Sequence, residues 1–342
     1  MKIWPQSHWR LFSPTVAIDP GTANTLIYTR ERGVVLNQPS VVCFEKSPRS
    51  LKHDAIAAIG MDAKATLGRS NGHVIAVQPL SHGIVAHHAA AERMIRHFLD
   101  ISRVRSSLSK RCYLTVCVPS DANAVELEAI RAIAEAAGAS DVCLISKALA
   151  AAIGAGLPVG EAVGSLVVDV GGGTTEAAVT SLGQVVCHQT AKIGGDQFDA
   201  AIVNYVRRQY GTWIGNQTAE RLKLSIGQNI DSETSQSLCA VGHGLQAGLP
   251  TKIALSRSEI SNAISGSIDT VINVVRSVLS KTPPELISDI ANNGVMLTGG
   301  GALLADIGNR LGKEIGLKVR IAADPMTCAV RGAGRARIWR MR

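Results

Sequence analysis

The chain has 342 residues, of which 46% are hydrophobic and 18% charged, and its formal net charge at pH 7 is +8. A chain of this size buries a large core and divides into about two domains. No stretch approaches the roughly 20 apolar residues of a membrane-spanning helix, and the first residues lack the apolar middle and cleavage site of a signal peptide. We therefore expect a soluble globular protein of the cytoplasm.

The seven cysteines are scattered along the chain, without a Cys-x-x-Cys pair and without histidines at zinc spacing. We expect them to be reduced, and we expect no structural metal site. Only 4% of the residues are aromatic, and no basic stretch alternates with stacking residues. The sequence therefore predicts no dedicated nucleic-acid partner.

The start of the chain combines aromatic and basic side chains: Trp4, Trp9 and Phe12 lie near Lys2 and Arg10. Aromatic rings next to cations suit the headgroup region of an anionic membrane. The segment therefore predicts a peripheral membrane anchor. A tail whose rings pack onto the protein surface remains an alternative, because one short segment is a marginal anchor.

An apolar strand that ends in aspartate and turns back through glycine occurs twice. The first copy spans residues 16–28 around Asp19, and the second spans residues 167–179 around Asp169. Glycines let a backbone approach an anion and point N–H groups at it, and a carboxylate holds Mg²⁺ through water. The pair therefore predicts a site for a metal-bound nucleotide between the two turns.

Further along the chain, strand patterns alternate with helix patterns. A third strand, at 294–298, leads into the glycines 299–301 and a helix. Ser256 and Glu259 form a capping box before a long amphipathic helix, which Pro283-Pro284 ends. This alternation indicates α/β architecture, and the repeated hairpin indicates two related halves with a cleft between them. Other predicted elements are strands at 34–44, 112–120 and 141–145 and helices at 89–101, 121–137 and 148–155.

On these motifs the chain resembles the MreB family, the bacterial actin-like proteins of cell shape, along nearly its whole length. The resemblance is carried by a set of short segments rather than by one motif. They are Asp19 to Thr25, Asn37 to Val42, Leu67 to Arg69, Ala150 to Pro158, Asp169 to Glu176, Gly194 to Asp196, Ala219 to Lys223, Leu297 to Leu304 and Asp324 to Cys328.

The resemblance implies an α/β, actin-like, two-domain ATPase fold, a duplicated ribonuclease H-like unit with a nucleotide cleft between the domains. It also implies a division of the chain into two cores with one insertion each. Domain I takes 1–32, 78–145 and 316–342 with a small inserted subdomain at 33–77, and domain II takes 146–181 and 252–315 with a small inserted subdomain at 182–251.

The function that the resemblance implies is that of a cytoskeletal protein. Such a protein binds ATP and Mg²⁺, polymerises with copies of itself and lies at the inner face of the cell membrane, where its filaments guide wall synthesis and so determine cell shape. A second family member and membrane proteins of wall synthesis are the further partners implied.

The same resemblance implies which residues bind the metal and the nucleotide. Asp19 and Asp169 resemble the carboxylates that order Mg²⁺, although each could be a turn-capping aspartate. Glu220 and Lys223 lie three residues apart on one helix face, where a simple salt bridge is the alternative role. The phosphate residues implied are Thr22, Ala23, Asn24, Gly171, Gly172, Gly173 and Thr174; those near ribose and base are Glu220, Arg221, Leu222 and Lys223; those at the adenine are Gly299, Gly300, Gly301, Ala302 and Leu303.

The chain departs from the family pattern at the residue that polarises the attacking water. The family carries Glu before Pro at this position, and here Lys147 and Ala148 stand instead. A protonated lysine is no base for water. We expect Lys147 to pair with the γ-phosphate and hydrolysis to be slow, so that the chain is at most a weak ATPase. Pro20 also removes one N–H donor from the first turn.

Two other functions remain open from the sequence. One is a nucleotide-independent scaffold that assembles together with a standard MreB, because the water-activating acid is missing. The other is a sugar-kinase type of phosphotransferase, which needs an acceptor site with a catalytic aspartate. The sequence shows no such site.

Overall fold

The computed structural model describes residues 15–45, 55–69, 73–104, 112–227 and 237–339. Trp4, Trp9 and Phe12, the predicted membrane anchor, lie outside these residues. The strands are β1 (Thr15–Pro20), β2 (Asn24–Thr29), β3 (Gly33–Pro39), β4 (Val42–Glu45), β5 (Ile56–Ile59), β6 (Val74–Val77), β7 (Leu80–Ser81), β8 (Ile84–Val85), β9 (Tyr113–Val118), β10 (Asp141–Ser146), β11 (Ser165–Val170), β12 (Thr175–Ser181), β13 (Gln184–Ala191), β14 (Thr212–Trp213), β15 (Leu238–Gly244), β16 (Pro250–Leu255), β17 (Val295–Thr298) and β18 (Val319–Ile321).

Helices connect these strands in the alternating order that the sequence predicts. Two 3₁₀ turns, Gly300–Leu303 and Pro325–Thr327, complete the described elements. The helices are α1 (Met61–Thr66), α2 (His88–Ile101), α3 (Ala124–Ala136), α4 (Lys147–Gly154), α5 (Gly195–Tyr210), α6 (Asn216–Gly227), α7 (Arg257–Lys281), α8 (Pro284–Asn293), α9 (Ile307–Ile315) and α10 (Cys328–Trp339).

The two halves repeat one sheet topology. The first sheet has the order β3-β2-β1-β9-β10 and the second the order β13-β12-β11-β17-β18. In each, the central strand pairs antiparallel with the strand that follows it and parallel with a strand from later in the chain. The predicted duplication is therefore confirmed, and the two aspartate turns occupy equivalent places in the two sheets.

Three strands lie in a different sheet from the one that the predicted domain division implies. Strand β3 belongs to the first main sheet, and β13 and β18 belong to the second. These sheet memberships favour insertions that begin after β3 and after β13 rather than at 33 and 182, and they place the segment around β18 with the second sheet. The physical reason is that each hairpin continues into a third antiparallel strand, while β18 extends the parallel edge beside β17.

Helix starts follow their capping side chains. The predicted capping box of α7 is present, with Ser256 and Glu259 bonded reciprocally. Helix α3 starts at Ala124 rather than at 121, because the Asn123 side chain accepts hydrogen bonds from the first turn and Glu126 completes a second capping box. Within the described segments, no helix combines the length and apolarity needed to cross a bilayer.

Helices α4 and α10 cross with their backbones in contact. A Cβ atom added to Gly154 would lie 1.8 Å from the carbonyl oxygen of Cys328, and one added to Gly332 would lie 1.7 Å from that of Ala150. Only glycine fits at such a crossing. The contact fixes the position of α4, which begins at Lys147 and leads from the first sheet into the second half.

Candidate functional site

The two aspartate turns lie against each other between the halves of the molecule. Asp19 and Asp169 are both buried near the ends of β1 and β11, with 6% and 3% of their surface exposed. A Cβ atom on Gly172 would lie 2.5 Å from the Cβ of Ala23, and one on Gly173 would lie 2.7 Å from Oγ1 of Thr22. The glycines of the second turn are therefore required for this close approach.

Backbone N–H groups of the turns are available to an anion. The N–H of Gly171 donates to the carbonyl of Thr174 at 2.8 Å and so closes its own turn. The N–H groups of Gly172 and Gly173, and those of Thr22 and Ala23 opposite, donate to no acceptor in the part of the chain that the structure describes. Converging N–H groups of this kind form an anion-binding concavity.

Lys147 bridges the two aspartates. Its Nζ atom lies 3.6 Å from Oδ2 of Asp19 and 3.5 Å from Oδ2 of Asp169, and 16% of the lysine side chain is exposed. The other oxygen of Asp169, Oδ1, accepts a hydrogen bond from Thr298 at 2.9 Å. Ser146 caps α4 by accepting from the N–H of Leu149, so the lysine stands at the first position of that helix.

Electrostatics keep this lysine charged. Burial by itself lowers the pKa of Lys147, but the Asp19 and Asp169 carboxylates raise it above its ordinary value. Burial raises the pKa of Asp19, and the ammonium opposes that shift. The three groups therefore form one buried cluster in which a single ammonium contacts two carboxyl groups.

The predicted Mg²⁺ site does not fit this arrangement. Two carboxylates are a suitable donor set for Mg²⁺, which binds oxygen at about 2.1 Å. However, the facing oxygens of Asp19 and Asp169 both contact the Lys147 ammonium, and two cations in one small gap repel each other. In the structure Lys147 contacts the two aspartates, whereas the sequence predicts that it pairs with the γ-phosphate.

Glu176 is buried beside Asp169, and the sequence predicts no role for it. It pairs with Asp169 in the β11–β12 register, and its Oε2 accepts from the N–H and Oγ of Ser120 at 3.2 and 2.8 Å. Its Oε1 is buried and has no partner in the described structure. Burial raises the pKa of Glu176 to about 7, against the lowering effects of Lys147 and Ser120. The sequence did contain a signal for this residue, because the register of the predicted hairpin places Glu176 opposite Asp169.

The β7–β8 hairpin also reaches the site. His82 and Gly83, both with positive φ, form its two-residue turn. Gly83 N–H donates to Oγ1 of Thr22 at 3.1 Å, and Nδ1 of His82 lies 2.9 Å from the carbonyl oxygen of Gly173. One tight turn thus contacts both aspartate turns. A His-Gly pair between short apolar runs is a hairpin signal, but it does not reveal this contact.

Glu220 and Lys223 do not pair with each other, so the simple salt bridge considered for them is absent. Glu220 pairs with Lys64 of α1 at 2.7 Å. Lys223 is buried, with its Nζ 2.8 Å from Oδ1 of Asp199 and 3.0 Å from the carbonyl oxygen of Gly195. Burial raises the pKa of Asp199 to about 6, against the lowering effect of Lys223. Glu220 therefore links α6 to α1, while Lys223 holds α6 to the start of α5.

The third glycine turn packs beside the second. A Cβ atom on Gly299 would lie 2.3 Å from the carbonyl oxygen of Val170, whereas one on Gly300 would meet nothing within 4 Å. A Cβ atom on Gly227, the last residue of α6, would lie 2.7 Å from the carbonyl oxygen of Leu303. The predicted adenine residues and the end of α6 therefore line one region. Within it, Leu222 and Ala302 are buried in the core of the second half, and Arg221 is exposed.

Comparison with known proteins gives one consistent result. The family model described as MreB/Mbl protein matches residues 13–339. The chain is 46% identical over 326 residues to the cell shape-determining protein MreB of Escherichia coli strain K12, covering 95% of this chain and 94% of that protein. It is 37% identical over 324 residues to the cell shape-determining protein Mbl of Bacillus subtilis strain 168, covering 95% and 96%.

A solved structure shares the fold. The crystal structure of MreB5 of Spiroplasma citri bound to AMPPNP superimposes with a TM-score of 0.87 and 32% sequence identity, covering 94% of this chain and 95% of that one. The two related sheets and this similarity together confirm the predicted actin-like fold.

Proposed function

Because the chain belongs to the MreB/Mbl family, we propose that it binds ATP between its two halves and polymerises into filaments that guide wall synthesis. It is an actin-like protein of the cell-shape type. Its filaments lie at the inner face of the cell membrane and contain copies of this chain, with a second MreB and membrane proteins of wall synthesis as further partners.

The contact between the two aspartate turns is the observation that supports nucleotide binding most. The free N–H groups of Gly172 and Gly173 face those of Thr22 and Ala23, and a triphosphate chain carries the negative charge that such donors bind. We place the base beside Gly299 to Leu303 and the end of α6, where a Cβ on Gly300 would meet nothing within 4 Å. ATP contacts both halves in this arrangement and therefore favours the closed cleft.

A fluorescent ATP analogue tests this proposal. We expect saturable binding that unlabelled ATP competes away. Gly172→Ala should weaken the affinity by about tenfold or more, because the added methyl group meets Ala23 at the turn contact. Gly215→Ala is the matched control, since a Cβ there meets nothing within 4 Å. Absence of binding by the natural chain, together with normal filaments in electron micrographs, would instead identify a nucleotide-independent scaffold.

Membrane attachment is a separate part of the proposal. Trp4, Trp9 and Phe12 insert into the headgroup region of an anionic bilayer, where Lys2 and Arg10 add electrostatic attraction. Replacing the three aromatic residues by alanine should abolish co-sedimentation with anionic vesicles and leave polymerisation in solution intact. Unchanged co-sedimentation of this triple variant would exclude the N-terminal anchor.

We also propose that hydrolysis is slow. Lys147 occupies the position at which the family has a carboxylate. Its ammonium contacts Asp19 and Asp169, and an ammonium accepts no proton from water. Filaments of this chain should then disassemble slowly, because the bound triphosphate persists. We do not propose the sugar-kinase function, because the sequence shows no acceptor site with a catalytic aspartate.

A further inference from the structure

We propose that the Lys147 ammonium replaces the divalent cation of this cleft, so that the chain binds a nucleoside triphosphate without a divalent metal. The inference rests on the proposed nucleotide binding and concerns the cation that accompanies it. The observation behind it is the position of the ammonium. Its Nζ atom lies 3.6 Å from Oδ2 of Asp19 and 3.5 Å from Oδ2 of Asp169.

A lysine at position 147 needs negative charges nearby to stabilise its ammonium. Lys147 is the first residue of α4, and the N-terminus of a helix carries partial positive charge that opposes a cation. The side chain is also mostly buried. Removing a charge from water is costly unless it is paired. Asp19 and Asp169 supply that pairing, so the lysine and the aspartates stabilise one another as a unit.

The ammonium also reaches the anion-binding turn. A Cβ atom on Gly171 would lie 3.7 Å from Nζ of Lys147, which places the positive charge beside the turn that holds the free N–H groups of Gly172 and Gly173. A phosphate bound to those N–H groups therefore meets a fixed cation. In this respect the lysine supplies the charge that a metal ion would otherwise bring to the phosphates.

A tethered cation differs from a metal ion in being always present. It neither dissociates nor depends on the free metal concentration, and it cannot be removed by a chelator. The backbone contact between α4 and α10 at Gly154 and Gly332 holds the helix that carries it. The charge is therefore organised before the nucleotide arrives.

Nucleotide affinity measured with EDTA and with Mg²⁺ tests the inference, using a fluorescent ATP analogue and the full chain. The dissociation constant of the natural chain should change by less than about threefold between the two conditions, since its cation is covalently attached. Lys147→Met should weaken binding by about tenfold or more in EDTA and regain it in Mg²⁺. Lys281→Met is the matched control, because that lysine contacts Gln189 away from the cleft.

Metal binding in the absence of nucleotide gives a second readout. Electron paramagnetic resonance of Mn²⁺ should show no tight site in the natural chain and a new one in Lys147→Met, where the aspartates are free. If Lys147→Met does not fold, Lys147→Arg, which keeps the charge, should still bind the analogue in EDTA. Binding by the natural chain only with Mg²⁺ would overturn the inference, whereas no binding under either condition would instead overturn the proposed function.

Discussion

Gly332→Ala should destabilise the protein by about 3 kcal/mol or more, the upper part of the range for overpacked sites. The added methyl group would lie 1.7 Å from the carbonyl oxygen of Ala150 and 2.7 Å from the backbone nitrogen of Gly154. Both are backbone atoms of α4, which cannot rotate away as a side chain can. Helix α10 must therefore move off α4, and the buried alanines between the two helices lose their contacts.

Gly266→Ala provides the control for this substitution. Gly266 lies inside α7, and a Cβ there meets nothing within 4 Å. Alanine in an open helical position removes backbone freedom from the unfolded chain and should stabilise the protein by about 0.5 to 1 kcal/mol. Urea unfolding followed by circular dichroism measures both variants. Equal and small effects at the two positions would show that the helix crossing tolerates a side chain.

Local features of the fold could be predicted because their causes lie within a few residues. The hairpins around Asp19 and Asp169 follow from apolar alternation and glycine spacing, and the capping box at Ser256 and Glu259 follows from two side chains three residues apart. The two turns lie against each other because each hairpin reverses where its glycine spacing predicts.

Features that depend on distant partners could not be predicted in this way. The helix-spacing rule pairs Glu220 with Lys223, but Lys64 and Asp199 are the actual partners, brought close by the fold of each subdomain. Strand β18 has only three residues and joins the second sheet through its pairing with β17.

The position of the Lys147 ammonium also depends on parts of the chain that are distant in sequence. Lys147 faces Asp19 only because β10 lies beside β9, and β9 beside β1, in the first sheet. It reaches Asp169 because α4 packs against β11 of the second half. The sequence identified the unusual residue, and the tertiary structure determined which groups it contacts.

Lys147→Glu should raise the rate of phosphate release by about a hundredfold in the presence of Mg²⁺, the lower end of the range for general base catalysis. In the reaction, the water oxygen forms a bond to the γ-phosphorus, the bond from that phosphorus to the bridging oxygen breaks with its electron pair remaining on ADP, and the water transfers a proton to an acceptor. The natural chain has an ammonium at this position, which is already protonated. A carboxylate at the start of α4 supplies the missing acceptor.

The same substitution should make the fold depend on divalent metal. It removes the ammonium that balances Asp19 and Asp169 and adds a further negative charge near Glu176. Like charges at this distance repel strongly when buried. The melting temperature of Lys147→Glu should therefore fall in EDTA and recover in Mg²⁺, whereas that of the natural chain should be the same in both.

Lys147→Gln separates the two effects of the substitution. It removes the positive charge as Lys147→Glu does, but it provides no group that accepts a proton. If the missing base limits the rate, phosphate release by Lys147→Gln stays as slow as that of the natural chain. If the ammonium limits the rate by holding the aspartates, Lys147→Gln accelerates as much as Lys147→Glu. Rapid release by the natural chain itself, with no gain in either variant, would mean that another group in the cleft, such as the partly unpaired Glu176 carboxyl, orients the water.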